Sequence, residues 1–285
     1  MRKYLVLLGL LSIVSNTVAS VCAYQKYCPN GTLHVLCTKR NLDSFHEQCG
    51  EKYQLYTVDG SLREDILFRL NFARNIVASG LFDYPPAANM PILQWDEFLV
   101  DTAKKLAFSC DTRGQYCSNS KAYNFVSTVQ IGAHFVRDVK QKTAVKDLLN
   151  IWIRDLFGCS MDTNGIITRK AVKNSTCLGH YAPLLEDRCD RIGCVTTATF
   201  NAAGETTSAN LICNLNRANV NDAVPYKISP VPAIGCSQER DYIYEFLCQP
   251  SKHVDNNFIP IRRSLNNLFK PDIREPFIKD IVKEH

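Results

Sequence analysis

Thirteen cysteines and six histidines are the side chains of this 285-residue chain best equipped for chemistry. A thiolate beside an imidazole could act as a nucleophile or hold zinc, and His180, Cys189 and Cys194 are close enough in sequence to be considered as such a set. Against that stands the density of cysteine, because free thiols at this frequency would be a hazard outside a reducing compartment and are expected to pair. No G-x-S-x-G elbow, no H-E-x-x-H and no glycine-rich phosphate loop occurs, and no Cys-His arrangement outweighs the disulfide reading. The residues alone therefore point to no catalytic group, metal ligand or cofactor.

The elements that must position these residues are partly legible. Ile192 to Phe200 and Thr206 to Asn214 have the β-branched character of two strands, separated by a turn over 201–205. A hairpin centred between Ala203 and Gly204 pairs positions summing to 407, which sets Cys194 opposite Cys213 as a bridge requires. Three helices are expected. The first opens at a capping box, Ser61-Leu62-Arg63-Glu64, carries Ile66, Leu70, Ala73 and Val77 on one face and stops at Gly80. A second places Trp95, Leu99, Ala103, Leu106 and Cys110 on one face, with Cys110 against the core. The third is marked by Val145, Leu148, Leu149, Trp152 and Leu156. Residues 111–140 read as a polar loop and a semi-apolar stretch ending near His134, with no assigned element. Helices around one antiparallel sheet imply an α+β layered domain.

The chain opens with Met1-Arg2-Lys3, an apolar run from Tyr4 to Val14 and small residues over Thr17-Val18-Ala19-Ser20, the pattern of a secretory signal peptide. No later stretch approaches the roughly twenty apolar residues of a membrane span. The expected organisation is a signal peptide over 1–20, a cysteine-rich, loop-like segment over 21–60, a domain over 61–248 and a cysteine-free tail over 249–285, expected as a strap packed on the domain, with a partner-binding arm as the alternative. Sequons at Asn30 and Asn174 suit a glycosylated secreted protein. The 33 basic and 28 acidic residues, net +5, form no run that could track a phosphate backbone, which argues against a nucleic-acid partner.

Several stretches in order resemble the CAP superfamily, the cysteine-rich secretory, antigen 5 and pathogenesis-related proteins, and especially its insect antigen 5-like members. Leu70-Asn71-Phe72-Ala73-Arg74 with Ala78 and Gly80 is similar to the HNxxRxxxAxG helix, with Leu70 in place of its His. Leu93-Gln94-Trp95-Asp96 resembles L-x-W-D, and Trp152 the W-x-x-E helix. Gly179-His180-Tyr181 followed by Ile192-Gly193-Cys194 resembles GHYTQ…GC, and Cys22, Cys28, His34, Cys37 and Cys49 follow the insect spacing. The resemblance implies a disulfide-stapled, three-layer α-β-α sandwich with a carboxy-terminal extension. It also implies bridges Cys22 with Cys37, Cys28 with Cys117, Cys49 with Cys110 and Cys194 with Cys213, with Cys236 and Cys248 closing the carboxy-terminal loop. Of the remaining three cysteines, Cys159 with Cys177 is the favoured pair, leaving Cys189 free or bridged to a partner.

Many members of the family hold a divalent metal on two His and two Glu. Carried over one position at a time, that tetrad becomes Gly114, Thr128, Asp155 and His180 here, so only the last ligand type is retained intact. Ala182-Pro183 replaces the T-Q of GHYTQ, Glu186 stands where Trp is usual and Phe98 where Glu is usual. The resemblance with a degraded tetrad implies a secreted, non-enzymatic protein acting on extracellular partners. A seminal-fluid role, with other secreted or sperm-surface proteins as partners, is the leading expectation. A salivary or venom protein is the alternative, and a lipid or sterol carrier with a pocket near Phe82, Tyr84 and Pro85 a second.

Overall fold

The computed structural model describes residues 22–258, apart from 39–42, 50–52, 57, 111–115, 137–138, 171–176, 178–179, 205, 220–223 and 252–253. Its strands are β1 (Leu33–His34), β2 (Tyr53–Tyr56), β3 (Gln94–Trp95), β4 (Tyr116–Cys117), β5 (Ser127–His134), β6 (Cys159–Met161), β7 (Ile167–Arg169), β8 (Arg191–Phe200) and β9 (Thr206–Leu215). The helices are α1 (Gly60–Ala78), α2 (Glu97–Ser109), α3 (Gln141–Gly158) and α4 (Ala182–Leu185).

The central sheet runs β2-β8-β9-β5, antiparallel throughout, with β3 lying parallel against the β2 edge of β8. In the β8–β9 hairpin Ile192 faces Leu215, Cys194 faces Cys213 and Thr199 faces Ser208, and a bulge then shifts Phe200 onto Thr206. Because side chains alternate along a strand, the two faces of the sheet feed two cores. Val195 and Ile212 pack against Ala103 and Ala107 of α2. On the other face Ile192, Cys194, Leu211, Leu215, Val129 and Ile131 join Ile66, Leu70, Leu148, Trp152 and Leu156 of α1 and α3. The result is the expected α-β-α sandwich, stapled by disulfides.

Two strands of the central sheet run through segments read as irregular. Tyr53–Tyr56, in the loop-like amino-terminal segment, is an edge strand of the central sheet paired with Thr196 to Thr199. Ser127–His134 pairs along its whole length with β9; Val129, Ile131 and Ala133 are buried while Thr128 and His134 are exposed. It includes Gly132, where a Cβ would come within 2.4 Å of the Asn210 Oδ1.

Helix ends also differ in detail. Helix α1 is capped by Asp59, whose Oδ1 accepts from Leu62 N at 2.7 Å, and not by Ser61, whose hydroxyl takes the Lys142 ammonium at 3.1 Å. Carboxylate caps compete well for orphan helix amides, so a start two residues earlier wins. Trp95 belongs to β3, ahead of α2, and Asp96 caps that helix through Leu99 N at 3.0 Å. Cys110 ends α2 in a left-handed conformation, φ 46°, and is half-buried toward its Cys49 bridge instead of entering the core.

Six bridges are formed: Cys22–Cys37, Cys28–Cys117, Cys49–Cys110, Cys159–Cys177, Cys194–Cys213 and Cys236–Cys248. The second and third span 89 and 61 residues and tie the amino-terminal segment to the end of α2 and to β4. Loops of that size stabilise by about 4 kcal/mol each on a chain-entropy account. Cys189 is free and fully buried.

Candidate functional site

The described positions that the resemblance assigns to a metal tetrad have other partners. Thr128 lies on the α2 side of the sheet, its hydroxyl donating to Asn214 Oδ1 at 2.6 Å, while Asn214 Nδ2 donates to Thr102 Oγ1 at 2.9 Å. Asp155 is buried on α3 near Tyr84 and Tyr181. Burial pushes both phenols far above their usual range, and the Asp155 charge adds to it. The half-buried His180 is held by its backbone, since Trp152 Nε1 donates to its carbonyl at 2.9 Å. Gly114 lies outside the described residues, as does Asn174. Among the described residues no group of three or more His, Cys, Asp or Glu could hold a metal ion. The set of His180, Cys189 and Cys194 is broken by the Cys194–Cys213 bridge.

Phe98, where the family has Glu, stands in an aromatic row with Tyr24 at 5.9 Å and Tyr123 at 6.5 Å. Tyr24 stacks on His34 at 5.0 Å. His34 is fully buried, with Nε2 2.7 Å from the Asn119 carbonyl and Nδ1 accepting from Leu36 N at 3.1 Å. Those partners require the neutral ring with its proton on Nε2, and burial lowers its pKa accordingly.

The side chains offered for a lipid pocket cover the core. Tyr84 is buried and its hydroxyl donates to the Leu156 carbonyl at 2.7 Å, Phe82 packs against Phe157 at 4.9 Å, and the Pro85 carbonyl accepts from Tyr226 at 2.8 Å.

The retained motif residues hold loops together. Asn71 donates to the Leu93 carbonyl at 3.0 Å and accepts from Leu93 N at 2.7 Å. Arg74, 1% exposed, donates to the carbonyls of Leu184, Pro91 (2.8 Å), Cys189 (3.0 Å) and Glu186 (3.4 Å). One guanidinium thus fixes α1, the strand-like entry to β3 and the loop from α4 to β8. Gly193 allows α2 to lie directly on β8, because a Cβ there would fall 2.3 Å from Val100 N and 2.6 Å from the Leu99 carbonyl carbon.

A second buried cluster escaped sequence reasoning. Glu186 and Arg217 are both buried, with Nε and Oε2 4.0 Å apart. Burial pushes the Glu186 carboxyl up to about 8 against the opposing pull of Arg217. Arg217 also lies over the Phe125 ring at 4.8 Å and donates from Nη1 to the Asn256 carbonyl at 2.9 Å. Beside it, Asn216 Nδ2 donates to Asp190 Oδ1 at 2.7 Å. The available signal was Glu186 itself: a carboxylate where the family buries Trp needs a cationic or hydrogen-bonding partner. The described start of the tail, to Phe258, packs on this cluster; residues 259–285 lie outside the described residues.

Comparison with known proteins gives the same frame. The Cysteine-rich secretory protein family, CAP, matches residues 67–213. Tabinhibitin 3 of Tabanus yao is 29% identical over 87% of this chain and 95% of its own length. Tabinhibitin 10 of the same fly is 30% identical over 65% of this chain and 73% of its own. Venom allergen-1 of Aedes aegypti is 23% identical over 85% and 92%. The solved structure of BmVAL-1 superposes on 68% of this chain and 96% of its own with a TM-score of 0.50 at 18% identity, a likeness of fold. With the motif residues of α1, α2 and β8 in structural roles and half the sequence matched, this chain belongs to the CAP family of cysteine-rich secretory proteins.

Proposed function

We propose that this protein is an extracellular, non-catalytic CAP protein that acts by recognising other proteins through its surface. The observation that carries this reading is the reuse of the cleft: Thr128 is committed to Asn214, and Asp155 is buried near Tyr84 and Tyr181. A water-activating metal site needs convergent His and carboxylate ligands with an open position, which a threonine bonded to Asn214 and a buried Asp155 do not supply. The signal-peptide pattern over 1–20 and the exposed sequon at Asn30 support secretion. Relatives named as tabinhibitins and venom allergens lend more support to a salivary or venom protein than to the seminal-fluid role.

Mass spectrometry of salivary or venom gland, male reproductive tract and recently mated females separates the two settings. Detection in gland secretion is expected; transfer of the protein from male to female would instead establish the reproductive role. Calorimetry tests the chemistry: no saturable zinc binding is expected, and zinc binding abolished by His180→Ala would overturn the non-enzymatic reading.

A further inference from the structure

Residues 254–258, the start of the carboxy-terminal tail, are held by side-chain-specific contacts. The Asn257 carboxamide spans two backbone groups, its Oδ1 accepting from Asn124 N at 2.8 Å and its Nδ2 donating to the Ala122 carbonyl at 3.1 Å. Only a carboxamide offers donor and acceptor at that spacing; Asp loses the donor and Leu both. The preceding carbonyl, of Asn256, accepts from Arg217 Nη1 at 2.9 Å, and that guanidinium is itself stacked on the Phe125 ring at 4.8 Å. The Phe258 ring lies 4.3 Å from the Arg188 guanidinium, an interaction open only to an aromatic residue.

The segment is shaped for this contact. Asp255 Oδ1 accepts from Asn257 N at 3.0 Å and the Asp255 carbonyl from Phe258 N at 3.3 Å, a turn that reduces the ordering cost of docking. Gln249, bonded through its N–H to the Glu239 carbonyl at 2.9 Å, anchors the chain a few residues upstream. A tether that short gives an effective concentration on the order of millimolar or more.

We propose that Ala122, Asn124, Arg188 and Arg217 form a peptide-binding site on this protein, occupied in cis by Asn256-Asn257-Phe258. In trans it takes a segment of the same chemistry, a carboxamide residue followed by an aromatic ring on a tight turn. The tail start is its resident ligand, and an external segment enters only by displacing it. The site stands on these contacts and is independent of where the protein works.

The test uses the full chain and a fluorescein-labelled synthetic peptide of residues 253–260, titrated by fluorescence anisotropy. Asn257→Ala/Phe258→Ala, which empties the site in cis, is expected to bind the peptide at least tenfold more tightly than the unaltered chain. A peptide carrying Asn257→Leu should bind at least tenfold more weakly, and Arg188→Ala in the emptied chain should weaken binding severalfold. Equal binding by the emptied and unaltered chains, with both folded by circular dichroism, overturns the proposal, as does equal binding of the Leu peptide. Chymotrypsin gives a second reading: cleavage after Phe258 should accelerate at least fivefold in Asn257→Ala, and an unchanged rate also overturns it.

Discussion

Two buried arginines sit in this fold, and each is only 1% exposed. Arg74 spends its guanidinium on four backbone carbonyls of two segments, the entry to β3 and the stretch from α4 to β8. Arg217 depends on a carboxylate 4.0 Å away, an aromatic face and one carbonyl of the tail. Neutral dipoles do not titrate or depart, so the first cluster is a permanent joint. The second rests on a carboxylate, which can change charge, and on a carbonyl of the tail. The same side chain therefore builds scaffold in one place and an adjustable surface in the other.

Arg74→Met should show the largest effect, because it strands several buried carbonyls at once. A loss of about 4 kcal/mol or failure to fold is expected in urea unfolding. Gly193→Ala attacks the scaffold from the other face, forcing α2 off β8 where the new Cβ meets the Val100 backbone at 2.3 Å. Overpacking against backbone is expected to cost about 3 kcal/mol by the same measurement.

The Glu186 cluster should respond to pH instead. Its folded pKa, pushed up to about 8 by burial, lies above the unfolded value of 4.5, so the folded state holds the proton more tightly. The stability this contributes is fully present below pH 4.5 and is lost as pH rises through about 8. Burial raises Asp187 and Asp190 in the same sense. Unfolding free energy should therefore fall by about 2 kcal/mol between pH 5 and pH 8.5, and Glu186→Gln should flatten most of that slope. A slope unchanged in Glu186→Gln would show that this cluster does not titrate as its burial implies. Asn257→Ala should have the smallest effect, about 1 kcal/mol, because it removes two hydrogen bonds at an exposed segment.

Much of the scaffold was readable because its signals are local. The apolar spacing of Val145, Leu148, Leu149, Trp152 and Leu156 is a helical stripe wherever it occurs, and all five are at most 1% exposed. The hairpin register followed from the turn alone up to Thr199, where the bulge ends it. The β5 alternation was present in Val129, Ile131 and Ala133 but was interrupted for the reader by Gly132, whose reason lies across the sheet in Asn210. Asp59 against Ser61 was a contest between two competent caps that only the path of the preceding chain settles.

By itself the sequence determined the apolar faces of the three long helices, the central hairpin and its Cys194–Cys213 register, and the replacement of one His and both Glu at the positions that the resemblance assigns to the tetrad. Periodicity, turn geometry and ligand chemistry are properties of neighbouring residues or of residue type. Tertiary structure alone decided that Tyr53–Tyr56 closes the sheet, that Glu186 is answered by Arg217, and that Asn257 reads the backbone of residues 122 and 124. Edge pairing, charge burial and cis docking depend on groups 31 to 146 residues apart. Their partners share no local pattern, and the free energy that joins them exists only once the core has brought them together.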